Sequence, residues 1–193
     1  MLKALSYIGN KFNDLNIVWG AGGSVLLSHF GLLNNLNDIS IFVNVNDIRK
    51  IDEMFKDMSN EIANKESKLY SPKYFHKSII EGSEVNIIAG LKINHSNGTF
   101  KYIFHSDSIS ELTDINKIDI PLMSLEDWYV LYQLNPNTKE KAALIEKYLL
   151  TNDIKNPNLL ERSLRGDLPL ELINKIERML VWFRPLILTF RVY

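Results

Sequence analysis

Three short runs of residues in this 193-residue chain have the types and spacing to do chemistry. The first is Gly22-Gly23-Ser24, behind the apolar run Ile17-Val18-Trp19 and ahead of a helical pattern from Val25 to Phe30, stopped by Gly31. A Gly-Gly-Ser turn opening a helix exposes backbone N–H groups at the positive end of the helix dipole, which suits a triphosphate. The second run is Asp38-Ile39-Ser40. Ile39, Ile41 and Val43 alternate with Asp38, Ser40 and Phe42, so a strand here carries Asp38 and Ser40 on one face, toward the mouth where the Gly turn sits. The third is Glu84-Val85-Asn86, again two polar residues sharing a strand face. Ser24 lacks the His/Asp partner pattern of an activated nucleophile, so a phosphate-cradling hydroxyl is its better reading.

Other reactive types offer less. The chain has no cysteine, which removes disulfides, thiolate nucleophiles, Cys-zinc sites and iron–sulfur clusters together. His76, His95 and His105 lie scattered on strand patterns without metal-ligand spacing, and His29 sits at the end of a short helix. Trp128, Tyr129 and Tyr132 show helical spacing and read as core. Lys139, Glu140, Lys141, Glu146 and Lys147 read as a solvated helix face.

The elements that must position these residues follow from periodicity. Residues 3–14 predict a helix with Leu2, Leu5, Ile8 and Phe12 on one side. Ile17 to Trp19 predicts a buried strand, ending at the glycines. Asn46 is the expected N-cap of a helix running to about Asn60. Strands are expected at Tyr74–Ile80, Glu84–Ile88, Leu91–His95 and Thr99–Phe104, with tight turns at Glu81-Gly82-Ser83 and Asn97-Gly98. One more, Ile118–Pro121, is closed by its proline. Ser124 with Asp127 is close to a capping box. It opens a helical half with helices at Ser124–Gln133, Thr138–Leu150, Pro157–Leu164 and Pro169 to about Met179. The boundary drawn from this shift gives an α/β domain over 1–121 and a helical region over 122–193.

Composition sets the frame. With 22 Lys+Arg against 23 Asp+Glu, net charge −1 and 46% hydrophobic residues, the chain reads as an ordinary globular domain. Near-neutral charge argues against a nucleic-acid partner. The first residues are too polar for a secretory signal, so cytoplasm is the expected compartment. The tail, Met179 to Tyr193, is strongly apolar. Arg178, Arg184 and Arg191 interrupt it and Pro185 is expected to break its helix, which argues against a membrane span. Docking on the core is its first reading, and a homodimer or protein-partner surface its second.

The order of these motifs resembles the nucleotidyltransferase superfamily, the fold of polymerase-beta-like and aminoglycoside-adenylylating enzymes. Its pattern is a hydrophobic strand, Gly-Gly/Ser, a helix, and a strand with Asp-x-Asp. Val85-Asn86-Ile87-Ile88-Ala89-Gly90 is similar to the family's later Val-Asp-Ile-Ile-x-Gly segment. Ile120-Pro121-Leu122-Met123-Ser124-Leu125-Glu126-Asp127 looks like the start of the helical part in its bacterial branch. The resemblance covers roughly residues 15 to 150. It implies an α+β fold with a mixed sheet flanked by helices, followed by a C-terminal helical region. It also implies attack by an acceptor hydroxyl on the alpha-phosphate of a nucleoside triphosphate (NTP), helped by two Mg²⁺ ions that three carboxylates hold.

Here the pattern departs. Of the three acid positions the resemblance marks as catalytic, only Asp38 keeps an acid; the others are Ser40 and Asn86. Mg²⁺ prefers anionic oxygen and sheds water reluctantly, so a hydroxyl and an amide are poor replacements. Glu84 is the candidate substitute metal ligand beside Asp38, although its Cα lies about 6.6 Å along the strand from that of Asn86. The sequence therefore predicts a nucleotidyltransferase-fold protein with Mg²⁺-dependent catalysis weak or absent and nucleotide binding kept through Gly22, Gly23 and Ser24. An alternative is an active enzyme moving a nucleoside monophosphate from an NTP to a hydroxyl of a small molecule, a protein or RNA. A third is a small α+β binding protein whose glycine turn matches by accident.

Overall fold

The computed structural model describes residues 1–56 and 67–188. Two compact units divide the chain: residues 1–92 with 101–124, and 93–100 with 125–188 among the described residues.

The first unit is built on a six-stranded sheet. Helix α1 (Leu2–Asp14) turns Ala4, Leu5, Ile8, Gly9 and Phe12 inward. It lies so close to the sheet that a Cβ on Gly9 would come within 2.5 Å of Ile120. Strand β1 (Trp19–Gly22) leads into helix α2 (Gly23–His29), and β2 (Ile39–Val43) follows. Helix α3 (Ile48–Phe55) leads toward the hairpin of β3 (Tyr74–Ile80) and β4 (Ser83–Ala89). Strands β5 (Lys92–His95) and β6 (Gly98–Lys101), whose residues 93–100 belong to the second unit, form a separate two-stranded ladder, and β7 (Ile109–Ile115) with β8 (Ile118–Met123) completes the large sheet. Its strand order is β3-β4-β2-β1-β8-β7. The β2–β4 and β1–β8 pairs are parallel; the β1–β2, β3–β4 and β7–β8 pairs are antiparallel.

Several expectations shift, each for a physical reason. β1 begins at Trp19 and runs through Gly20 to Gly22, rather than spanning Ile17–Trp19. The glycines serve as strand residues because neighbours press on them: a Cβ on Gly20 would meet Met123 at 2.9 Å and Phe104 at 3.2 Å. All five residues of β2 are buried. Phe42 packs edge-on against Tyr102, with centroids 5.2 Å apart, and beside Phe104 at 6.4 Å, so the residue 102–104 segment covers the face that carries Ser40 and Phe42. Asn44, not Asn46, caps the next element: its side chain accepts the Asn46 N–H at 3.0 Å and opens a 3₁₀ turn ahead of α3. The end of the predicted helix, to about Asn60, lies outside the described residues.

β8 continues past Pro121 to Met123. Its pairing with β1 is confined to Ala21↔Leu122, and the β7–β8 ladder shifts register between Ile109 and Glu111. Such irregularity tolerates a residue without an N–H. β7 itself was not expected, since Ser, Thr, Glu and Asp interrupt its apolar residues and all seven positions stay partly open.

The second unit is mainly helical. Helix α4 (Leu125–Leu134) is buried at all ten positions, including Trp128, Tyr129 and Tyr132. It packs with α5 (Lys139–Asn152) and α6 (Pro157–Ser163). Asp127, whose carboxylate is fully enclosed, takes Arg162 Nη2 at 3.1 Å on both oxygens. Glu126 accepts the Asn156 backbone N–H at 2.8 Å, holding the start of α6. Helix α7 (Leu170–Leu188) runs on through Pro185, so that proline does not end it. Along α7, Met179 and Leu180 are buried whereas Val181 and Trp182 are exposed. Residues 189–193 of the predicted apolar tail lie outside the described residues. Among the described residues no helix is long and apolar enough to cross a membrane.

Candidate functional site

The sheet register turns scattered sequence positions into one row. Gly22 pairs with Ser40, Ser40 with Asn86, and Asn86 with Lys77. Register partners project to the same face, so Lys77, Asn86, Ser40 and Gly22 cross β3, β4, β2 and β1 side by side. The next row on that face, Phe75, Ile88, Phe42 and Gly20, is apolar and lies by Tyr102 and Phe104. A polar row thus ends where the aromatic cover begins. Asp38 and Glu84 each stand one residue before the first β2–β4 register pair, Ile39↔Val85. They mark the same end of the sheet.

The glycine turn is made by backbone geometry. Gly22 is extended (φ −137°, ψ −151°), and Gly23 enters α2 with φ +59°, a conformation that costs a residue with a Cβ about 1–2 kcal/mol. Ser24 is completely buried. Its Oγ donates to the Asp38 carbonyl at 2.6 Å and accepts weakly from the Asn37 and Asp38 N–H groups at 3.4 and 3.5 Å. The hydroxyl read from sequence as a phosphate cradle is therefore bonded within the protein, fastening α2 to the start of β2. Phosphate contacts at this turn would fall to backbone N–H groups.

Asp38 is half-buried. Ser40 Oγ donates to its Oδ2 at 2.8 Å, which fixes the carboxylate over the polar row. Glu84 meets different partners. Lys77 Nζ lies 2.8 Å from its Oε2, and Asn86 Nδ2 donates to its Oε1 at 3.2 Å. The hydrogen bond from Lys77 is the main influence holding the Glu84 carboxyl below its ordinary range; desolvation opposes it, and Asn86 and the Lys77 charge reinforce it. Both oxygens of Glu84 are thus engaged, one by a cation.

This donor set does not fit a pair of magnesium ions. Two dications held by one site need several anionic oxygens. The row supplies Asp38, a hydroxyl, an amide and an ammonium. Glu84, the expected substitute ligand, is neutralised by Lys77. Among the described residues no three His, Cys, Asp or Glu side chains gather to hold a metal ion. The other acid near this segment, Asp47, is buried, accepts the Val18 N–H at 3.1 Å and pairs with Lys50, so it secures the entry to β1.

The histidines stay apart. His76 stacks on Phe55 with centroids 4.1 Å apart, His95 lies 3.0 Å from the Asp167 carbonyl, His29 pairs with Glu111, and His105 precedes a 3₁₀ turn. Sequence reasoning missed Lys77. The signal was present: a two-residue turn at Glu81-Gly82, both with positive φ, fixes the hairpin register, and counting back from Ile80↔Ser83 brings Lys77 opposite Asn86.

No protein-family model and no curated protein matches the sequence. Solved structures do. The chain is similar to a candidate nucleotidyltransferase from Thermotoga maritima over 77% of its own length and 91% of the other chain, with 23% identity and a TM-score of 0.58. It is similar to ANT(2")-Ia, crystallised in complex with adenylyl-2"-tobramycin, over 96% of its length and 98% of that chain, at 11% identity and a TM-score of 0.53. The solution structure of the antibiotic-resistance factor ANT(2'')-Ia aligns over 97% and 92%, at 12% identity and a TM-score of 0.51.

Proposed function

We propose, for a chain that has the nucleotidyltransferase fold, that it binds a nucleoside triphosphate at the sheet end formed by β1, β2 and β4 and is deficient in metal-dependent transfer. The observation that carries this reading is the in-register pair Ser40↔Asn86 beside Asp38. Both members are uncharged where a two-metal site would need acids. Gly22 lies in the same row and Gly23 follows it as the first residue of α2; neither carries a side chain, so a phosphate chain would meet backbone N–H groups there. Asp38, held by Ser40, can orient a hydroxyl or a water. One half-buried carboxylate supplies too little charge to anchor two dications.

The fold neighbour complexed with an adenylylated aminoglycoside gives the competing reading, an active transferase with a small hydroxylated acceptor. A thermal-shift panel of the four nucleoside triphosphates, with and without Mn²⁺, separates the two. Binding to the folded state raises the melting temperature by mass action. The proposal expects a rise with nucleotide that a chelator leaves unchanged, and no label transfer from an NTP. Label transfer abolished by Asp38→Ala would establish the active reading instead.

A further inference from the structure

We infer that Lys77 supplies the positive charge at this site: its ammonium is a built-in, exchangeable cation that leaves Glu84 to grip the phosphate chain of an incoming nucleotide. The inference rests on the nucleotide-binding reading above and assigns the group that neutralises the phosphates without a metal.

Four observations lead there. Lys77 stands in the row that contains Ser40 and Gly22, opposite Asn86. Two strand spacings of about 4.8 Å separate its backbone from that of Ser40, and its flexible four-carbon stem carries the ammonium across β4 part of the way to that strand. The ion pair fixes the direction in which the stem leans. Glu84 lies toward the Asp38 end of β4, so Nζ is drawn to the mouth and away from the aromatic row. The pair is also accessible, at 28% and 38% side-chain exposure. Ion pairs in contact with solvent contribute little net stability, so a phosphate chain that offers more negative charge than one carboxylate can compete for the ammonium. Finally, Asn86 donates to the free side of Glu84. When Lys77 swings to a phosphate, Glu84 retains a hydrogen-bond donor and is not stranded.

The chemistry follows. In the resting site the ammonium is stored against a carboxylate. A polyphosphate offers more negative oxygens than Glu84 does, and an ammonium serves phosphate as a compact point charge. Asn86 takes part because it is neutral. An aspartate there would hold Lys77 from directly across the hairpin and repel the phosphates.

Calorimetric titration of the full chain in EDTA, using ATP and inorganic tripolyphosphate as probes, tests this. Wild type should bind both. Lys77→Met, which keeps the aliphatic stem, should weaken both by about tenfold or more, the loss expected for a charged hydrogen bond. Lys77→Arg should bind close to wild type. Glu84→Gln, which releases the ammonium, should bind more tightly than wild type, a gain that a merely structural lysine would not produce. Equal binding by wild type and Lys77→Met overturns the inference and leaves the nucleotide reading standing. Binding of ATP without tripolyphosphate also overturns it, since recognition would then lie with the nucleoside. Binding that appears only with Mg²⁺ overturns it in favour of a metal. No binding of either probe under any condition overturns this inference and the nucleotide reading together.

Discussion

Restoring both acids should convert this site into a metal-dependent one at a measurable cost to the metal-free protein. In Ser40→Asp with Asn86→Asp, the new carboxylates take the positions of groups that now lie 2.8 Å from Asp38 Oδ2 and 3.2 Å from Glu84 Oε1. Each replaces a donor with a like charge. Two charges 4 Å apart repel by about 1 kcal/mol in water and about 4 kcal/mol at an effective dielectric near 20. Both existing acids are half-buried and Lys77 offsets part of the repulsion, so the two contacts together should cost about 3 kcal/mol. For a chain of this size that lowers the melting temperature by about 6–12 °C. Mn²⁺ at about a hundredfold its dissociation constant should return about 2.7 kcal/mol, or about 5–11 °C. The assay is thermal unfolding of wild type and double variant at neutral pH across a Mn²⁺ titration, with calorimetry for stoichiometry. Wild type should not respond. Equal responses from the two proteins, or a double variant indifferent to Mn²⁺, would refute the placement of the site on this row.

Other expectations test single links in the structure. Lys77→Met should destabilise the fold at pH 7 by about 0.2–1 kcal/mol, the range for exposed pairs. Because Glu84 titrates below its ordinary 4.5, that stabilisation is fully present above the unfolded value and is lost as pH falls through the folded one. The gap between the two proteins should therefore be constant near neutrality and close only as the pH falls beneath the ordinary carboxylate range, in urea unfolding curves. Gly23→Ala forces a Cβ into φ +59° and should cost about 1–2 kcal/mol, read as a lower urea midpoint. Arg162→Ala removes the two hydrogen bonds that Arg162 Nη2 makes to the enclosed Asp127 carboxylate and should cost about 1.5–3 kcal/mol; an unchanged melting temperature would show that this contact does not hold α6 to α4.

The sequence alone determined the local events, because those depend on neighbours along the chain. Its apolar spacing marked α1, its glycines marked the turn after β1, and Glu81-Gly82 marked the β3–β4 hairpin. The pattern around Asp38, Ser40 and Asn86 pointed to a nucleotidyltransferase-like α+β fold, and the structure has that fold. What alternation could not reveal is what lies over a strand. Phe42 is buried because Tyr102 and Phe104, some sixty residues on, cover it. Composition likewise could not show that β7 would pair with β8, since its polar residues hide a strand whose partner supplies the order. The site divides in the same way. Residue types marked Ser40 and Asn86 as uncharged, and the tight Glu81-Gly82 turn already implied Lys77 opposite Asn86; only the folded sheet set that pair beside Ser40 and joined Lys77 to Glu84. Pairing between β2 and β4 is a long-range choice, fixed by which faces can be buried together, and it decided that Asp38 and Ser40 stand beside the hairpin whose Lys77 holds Glu84.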